Sequence, residues 1–202
     1  MDIVKNLVEQ RPTFFDHRPA CQEAATPINS FIFMSQGLSN AYLVKTSAGR
    51  VIVNTGMGFE ASVHKKAFDR VCAGPTPYIL LPQGHADHVG GVSLFREPGT
   101  RLIAQSSLKN CQEDDARIKT LRNAQSSIWF KTAVAKTIEG EMNPKPTFVQ
   151  DVPVADITFD PHHSLEVGDT RFELYSTPGG ETVDSCVIWL PQHRILFSGN
   201  VF

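Results

Sequence analysis

Between Leu80 and Gly91 the chain reads Leu-Leu-Pro-Gln-Gly-His-Ala-Asp-His-Val-Gly-Gly, and this stretch restricts the fold most tightly. Tyr78 to Leu81 is a short apolar run, the pattern of a buried strand. His85, Asp87 and His88 follow within four residues. Alternate side chains of an extended chain point the same way. Gln83, His85 and Asp87 are therefore expected to line one side where the strand ends, with His88 next as the chain turns into a helix. Imidazole nitrogens and a carboxylate converging on one point suit a borderline metal such as zinc. Gly90 and Gly91 let backbone come close without a Cβ in the way. The competing reading is a polar turn with two unrelated histidines, and the dense His/Asp packing behind an apolar strand argues against it.

The segment Gln83–Gly91 resembles the H-x-H-x-D-H-x-G-G motif of metallo-β-lactamase-fold hydrolases, with Gln83 in place of the first histidine. Three further segments carry the resemblance. Ser39 to Val44 and Val51 to Gly56 are similar to that family's first strands, with Asn54-Thr55-Gly56 where Asp-Thr-Gly is usual. Ser176 to Ser185 resembles its P-G-H-T segment; Gly180 takes the place of the histidine ligand and Glu181 is one residue on. The alkylsulfatase branch has a Glu ligand in that segment, so Glu181 is the implied replacement, with Asp184 a lesser candidate. Arg194 to Phe202 resembles the strand ending in Gly-Asp, whose Asp bridges two metals; Asn200 stands there instead.

The resemblance covers about residues 30 to 202, with a helical insertion at about 106–137 outside it, and implies an α/β fold, the four-layer αββα metallo-β-lactamase-type sandwich. The family continues past the Gly199-Asn200 turn, so the second half is expected to be incomplete and the chain part of a longer one. The implied cofactor is zinc, one or two ions, with iron equally compatible with these ligand types. Gln83, His85 and Glu181 would form one site; Asp87, His88 and Asn200 would form a second, incomplete one. Water bound to such an ion drops from a pKa of about 15.7 to about 7. The expected activity is a metal-dependent hydrolase using that metal-bound hydroxide, oriented by Asp87. Its target would be a small ester, sulfate ester, thioester or lactam. Glu181 favours an alkylsulfatase-like substrate. The alternative is a non-catalytic or weakly active binding protein on the same fold. Its motive is Gln83, Gly180, Asn54 and Asn200, each of which removes a histidine or carboxylate from a family position. Even changes outside the ligand shell cost about 10–100-fold in metal affinity.

Composition narrows the partners. A 202-residue chain with 41% hydrophobic and 20% charged residues can bury one sizeable core. A net charge of −2 argues against nucleic acid. No apolar run approaches the ~18 residues of a membrane span, and Met1 to Lys5 lacks the order of a signal peptide. The expectation is a cytoplasmic protein with a small-molecule substrate. Cys21, Cys72, Cys111 and Cys186 form no C-x-x-C pair and read as reduced, mostly buried thiols.

In chain order, residues 1–27 read as an arm, with Pro12, Pro19 and Pro27, a short helix through Val4, Leu7 and Val8, and a surface His17. Residues 28–202 read as the metallo-β-lactamase-like domain. Strands are expected at Phe31–Phe33, Ala41–Val44, Val51–Asn54, 77–81 and Arg101–Ala104. Residues 59–73 suit a helix burying Val63, Ala67, Phe68 and Val71, with His64 toward solvent. Residues 106–137 form a helical insertion with an apolar stripe of Leu108, Cys111, Ile118, Leu121, Ile128 and Val134, and a homodimer through it is conceivable. Trp129 and Phe130 either wall a pocket or pack on the core. A linker with Pro144, Pro146 and Pro153 follows. A hairpin turns at Gly168-Asp169, and His162 and His163 point apart at the surface.

Overall fold

Val51, Ile52 and Val53 are all buried. Alternation along a strand sends successive side chains to opposite faces, so a run of this kind needs a core on each side of its sheet. The computed structural model describes residue 9, residues 19–129 and residues 150–201, and it has both cores. The expected helix near Val4, His17, Phe130, Val134, Pro144 and Pro146 lie outside the described residues, as does the side chain of Trp129.

Among the described residues the first sheet has seven strands, in sequence order. They are β1 (Thr26–Pro27), β2 (Ile32–Ser35), β3 (Ala41–Thr46), β4 (Gly49–Val53), β5 (Tyr78–Leu80), β6 (Arg101–Gln105) and β7 (Ile157–Phe159). Strands β1 to β4 are antiparallel, and β4 to β7 are parallel. Strand pairing thus begins within the stretch read as an arm. Parallel neighbours need crossovers, supplied by α1 (Ala61–Asp69), α2 (Ala86–Val89), α3 (Val92–Phe95) and α4 (Leu108–Trp129). The second sheet is antiparallel, in the order β11 (Ile195–Phe197), β10 (Cys186–Leu190), β9 (Thr170–Ser176) and β8 (His162–Val167). Gly168 turns β8 into β9 at φ 59°, and a Cβ there would lie 2.3 Å from Ser47 Oγ in the β3–β4 turn.

Ile32, Val44, Val51, Val53, Leu80 and Ile103 meet Phe172, Leu174, Ile188 and Leu190 between the sheets. Leu43, Ile52, Ile79, Leu81 and Leu102 face the other way, onto Phe68, Val89, Val92 and Phe95 of the helices. Each such aliphatic side chain contributes about 1.5–3 kcal/mol when fully buried. The described residues therefore form three layers, helices, sheet and sheet. Tyr175 and Leu196, on the outer side of the second sheet, remain 42% and 45% exposed, so the expected fourth layer is not built from the described residues.

Two expectations are corrected here. His64 is fully buried, not solvent-facing, because its ring is held between the backbone at Gly37 and Gly56, where a Cβ would lie 2.9 Å and 2.6 Å from it. Its Nδ1 lies 2.7 Å from Ser35 Oγ, and burial lowers its pKa to about 3. On α4, Leu121 and Ile128 are exposed. The face toward the protein runs Leu108, Cys111, Gln112, Asp115, Ile118 and Arg122. Polar residues take part of that face because it lies against the site described below. Glu60, just before α1, is also fully buried; its Oε1 accepts from the backbone N–H groups of Ala20 (2.7 Å) and Leu38 (2.8 Å).

Candidate metal centre

Loops that follow strand ends carry the ligand groups of open sheets with parallel strands, and the candidate residues fall in such loops. Past β5, Pro82 O accepts from Cys186 N at 2.8 Å and fastens the loop to the second sheet. His85 is extended (φ −63°, ψ 150°) and precedes α2. Asp87 and His88 lie within α2, so the extended alternation expected through Asp87 stops at His85. Asp87 reaches the cluster because the helical turn sets it beside His88, not because it alternates with His85. Thr55 fixes that turn: its N–H and Oγ1 both donate to His88 O, at 3.1 and 2.8 Å. Gly91 serves the same packing, since a Cβ there would lie 2.4 Å from Ala61 Cβ and 2.7 Å from Thr55 O. The second loop joins β9 to β10, where Ser185 Oγ accepts from the N–H groups of Glu181 (3.3 Å) and Thr182 (2.9 Å). The third follows β11 and carries Asn200. Asn54, at φ 65°, holds the β4 end by donating to Ser39 Oγ and Asn40 O.

All six predicted residues meet in one network. Gln83 Nε2 donates to Glu181 Oε2 at 2.8 Å and lies 3.5 Å from His85 Nδ1. His85 Nδ1 is 3.7 Å from Glu181 Oε1. Asn200 Nδ2 donates to Glu181 Oε2 at 2.8 Å and lies 3.2 Å from His88 Nε2. His88 Nε2 is 3.3 Å from Asp87 Oδ2. His85 and His88 are buried, whereas Asp87 and Glu181 keep part of their side chains in solvent.

The electrostatics suit donor atoms. Burial alone would raise the pKa of Glu181. The amides of Gln83 and Asn200, with His85 and His88 nearby, instead hold it below the ordinary carboxylate value. Burial lowers the pKa of His88 despite Asp87 and Glu181 beside it, so its imidazole is neutral at neutral pH. An ionised carboxylate and a neutral imidazole are the forms that bind a cation.

The spacing gives a test of fit. Two ligands of one tetrahedral zinc, each about 2.0–2.1 Å from the ion, sit about 3.3–3.4 Å apart. The separations of 3.3 Å for Asp87–His88, 3.5 Å for Gln83–His85 and 3.7 Å for His85–Glu181 fall near that edge length. Among the described residues, however, no three His, Cys, Asp or Glu side chains gather as a ready metal cage. The third member of each group is an amide, Gln83 or Asn200, and its NH2 now faces Glu181. Each amide also has a carbonyl oxygen, which a half-turn of the last torsion exchanges with the NH2. The donor set therefore fits a divalent ion, with two strong ligands and one neutral oxygen at each position.

Three neighbours add to the site. Asp115 and Arg122 of α4 flank His85: Arg122 Nη2 is 3.0 Å and Asp115 Oδ1 3.6 Å from His85 Nε2, and the two are paired at 3.1 Å. In the sequence both read as ordinary helix charges, and no local signal separates them from Asp114 or Arg117. Asp184 is buried behind the site; its Oδ1 accepts from Thr182 Oγ1 at 2.7 Å, and its Oδ2 would lie 2.9 Å from a Cβ on Gly84.

Known proteins agree with this architecture. The chain is 24% identical over 173 residues to a type 2 metallo-β-lactamase of Bacillus sp. (strain 170), covering 80% of this chain and 49% of that one. It is 34% identical over 73 residues to another from Elizabethkingia meningoseptica, covering 36% of this chain and 29% of that one. Its structure matches the stereoselective inverting sec-alkylsulfatase Pisa1 from Pseudomonas sp. with a TM-score of 0.70 at 15% identity, covering 86% of this chain and 30% of that one. No family model matches. The chain has the metallo-β-lactamase fold, and its sequence is similar to members of that superfamily. It spans about half the length, or less, of these proteins. No described helix is long and apolar enough to cross a membrane.

Proposed function

We propose that this chain carries the ligand-bearing part of a metal-dependent hydrolase acting on a small molecule. The observation supporting this is the convergence of Gln83, His85, Asp87, His88, Glu181 and Asn200, from three separate loops, at spacings that fit a shared cation. Gln83, His85 and Glu181 would hold one ion, and Asp87, His88 and Asn200 a second. A divalent ion bound there, most simply zinc, lowers the pKa of water and polarises an ester, lactam or sulfate-ester oxygen. The protein supplies the rest. Thr55 holds α2 so that His88 faces Asn200. Before an ion is bound, the NH2 groups of Gln83 and Asn200 keep Glu181 ionised; with the amides turned to offer their oxygens, the cation would take over that role. Asp87, beside His88 and partly open to solvent, is the carboxylate placed to orient an attacking water and accept its proton. Glu181 supports a sulfate ester as the first substrate to try, in line with the structural likeness to the alkylsulfatase.

A second reading is a binding protein on the same fold. The hydrogen bonds from Gln83 and Asn200 favour it, since they satisfy Glu181 without an ion. Elemental analysis of protein purified without added metal or chelator separates the two. One or two zinc ions per chain, and hydrolysis of sulfate esters, lactams or thioesters that disappears in His85→Ala, is the expected result. No metal even after zinc is supplied would defeat the enzyme reading.

A further inference from the structure

The helix α4 lies outside the stretch that resembles the superfamily, yet it presses a cation against the candidate centre. Asp115 and Arg122 are seven residues apart, two helical turns, and so share one face. Both point at His85. The carboxylates around this point are Asp87, Asp115, Glu181 and the buried Asp184. They would repel an anionic substrate, and Arg122 opposes them.

The state of the guanidinium is informative. Nη2 donates to Asp115 Oδ1 at 3.1 Å and, in the His85 tautomer with its proton on Nδ1, is shared with His85 Nε2 at 3.0 Å; an ion held by Nδ1 moves that proton to Nε2 and removes the second acceptor. Nε is buried and has no hydrogen-bond partner. Nε–H and one N–H of Nη2 lie along the same edge of the guanidinium, the edge that grips a carboxylate or sulfate through two parallel hydrogen bonds. One half of that fork is therefore shared and the other idle, while 42% of the side chain remains exposed. A buried N–H without an acceptor is costly. An anion arriving at the exposed part of the side chain would draw the guanidinium outward, so that Nε–H gains an acceptor and Nη2 exchanges Asp115 for the anion in the same movement.

We propose that Arg122 is the specificity-determining residue of this site and binds an anionic group of the substrate, a sulfate or carboxylate, beside His85. The substrate class narrows accordingly, to sulfate esters or carboxylate-bearing lactams rather than neutral esters. Asp115 holds the guanidinium until the anion arrives. This assignment rests on the hydrolase reading for its meaning, but its anion binding can be measured separately.

The test is calorimetric titration of sodium sulfate, and separately sodium acetate, at fixed ionic strength. It uses the 202-residue chain in zinc-supplemented and zinc-free form, with zinc content measured on each sample. Charge-assisted hydrogen bonds contribute about 1.5–3 kcal/mol each, so Arg122→Ala should weaken anion binding about ten- to a hundredfold. Arg122→Lys keeps the charge but loses the fork, and should fall in between. Asp115→Asn removes the competing carboxylate and should tighten binding about two- to fivefold, a gain that misfolding cannot produce. A preference for sulfate or for acetate supports the proposal and names the substrate's anion. Unchanged anion affinity in Arg122→Ala, or no binding by the wild-type chain, overturns it. Failure to bind zinc would instead count against the hydrolase reading, and the sulfate titration of zinc-free protein would still judge Arg122.

Discussion

Glu60→Gln should flatten the pH dependence of folding stability. The Glu60 carboxyl is buried, and that burial raises its pKa from 4.5 to about 7, against the lowering effect of the N–H groups of Leu38 and Ala20. Below pH 4.5 the group is protonated in the folded and unfolded chain alike. Between 4.5 and about 7 the folded chain keeps a proton that the unfolded chain has released. Stability therefore falls as pH rises through this window. The difference between 4.5 and about 7 corresponds to about 3 kcal/mol, fully lost above the upper value. A glutamine keeps the oxygen that accepts from Ala20 and Leu38 but cannot ionise. Urea unfolding at half-unit steps from pH 4.5 to 8 reads the effect. The variant-minus-wild-type difference in unfolding free energy should move by about 3 kcal/mol in the variant's favour across the series, with unchanged m-values. Parallel curves, within about 0.5 kcal/mol, would refute the reasoning. They would mean that the two backbone donors outweigh burial and keep Glu60 ionised.

Other outcomes follow from the same contacts. His64, buried with a pKa of about 3 against an ordinary 6.5, contributes stability that is full above pH 6.5 and lost as pH falls toward 3; acid unfolding of His64→Gln should be correspondingly less steep. Gly91→Ala puts a Cβ 2.4 Å from Ala61 Cβ, so overpacking should cost about 1–3 kcal/mol in chemical denaturation and shift α2 with its His88. Leu80→Ala, in the core between the sheets, should cost about 2–5 kcal/mol by the same measurement. Asn200→Asp restores a carboxylate beside His88 and Glu181 and should tighten zinc binding at least about tenfold in competition with a chromophoric chelator; unchanged affinity would place Asn200 outside the ion's reach.

Much of this protein was legible from its residues alone. The apolar run ending at Leu81 gave a strand, the turn glycine at Gly168 gave a hairpin, and the crowding of His85, Asp87 and His88 marked the candidate centre. Those features are local: backbone preference and side-chain alternation act over a few residues, and a sequence displays them directly. Likeness of Glu181 and Asn200 to known motif positions added the two distant loops. Tertiary structure alone decided the rest. His64 is buried because the distant backbone at Gly37 and Gly56 closes over its ring, and Asp87 joins the cluster through a helical turn that Thr55 holds from the loop after β4. Asp115 and Arg122 look like any exposed helix charges until α4 is laid against His85. Burial and charge pairing depend on which surfaces meet, and contacts between residues tens of positions apart leave no periodic trace in the chain.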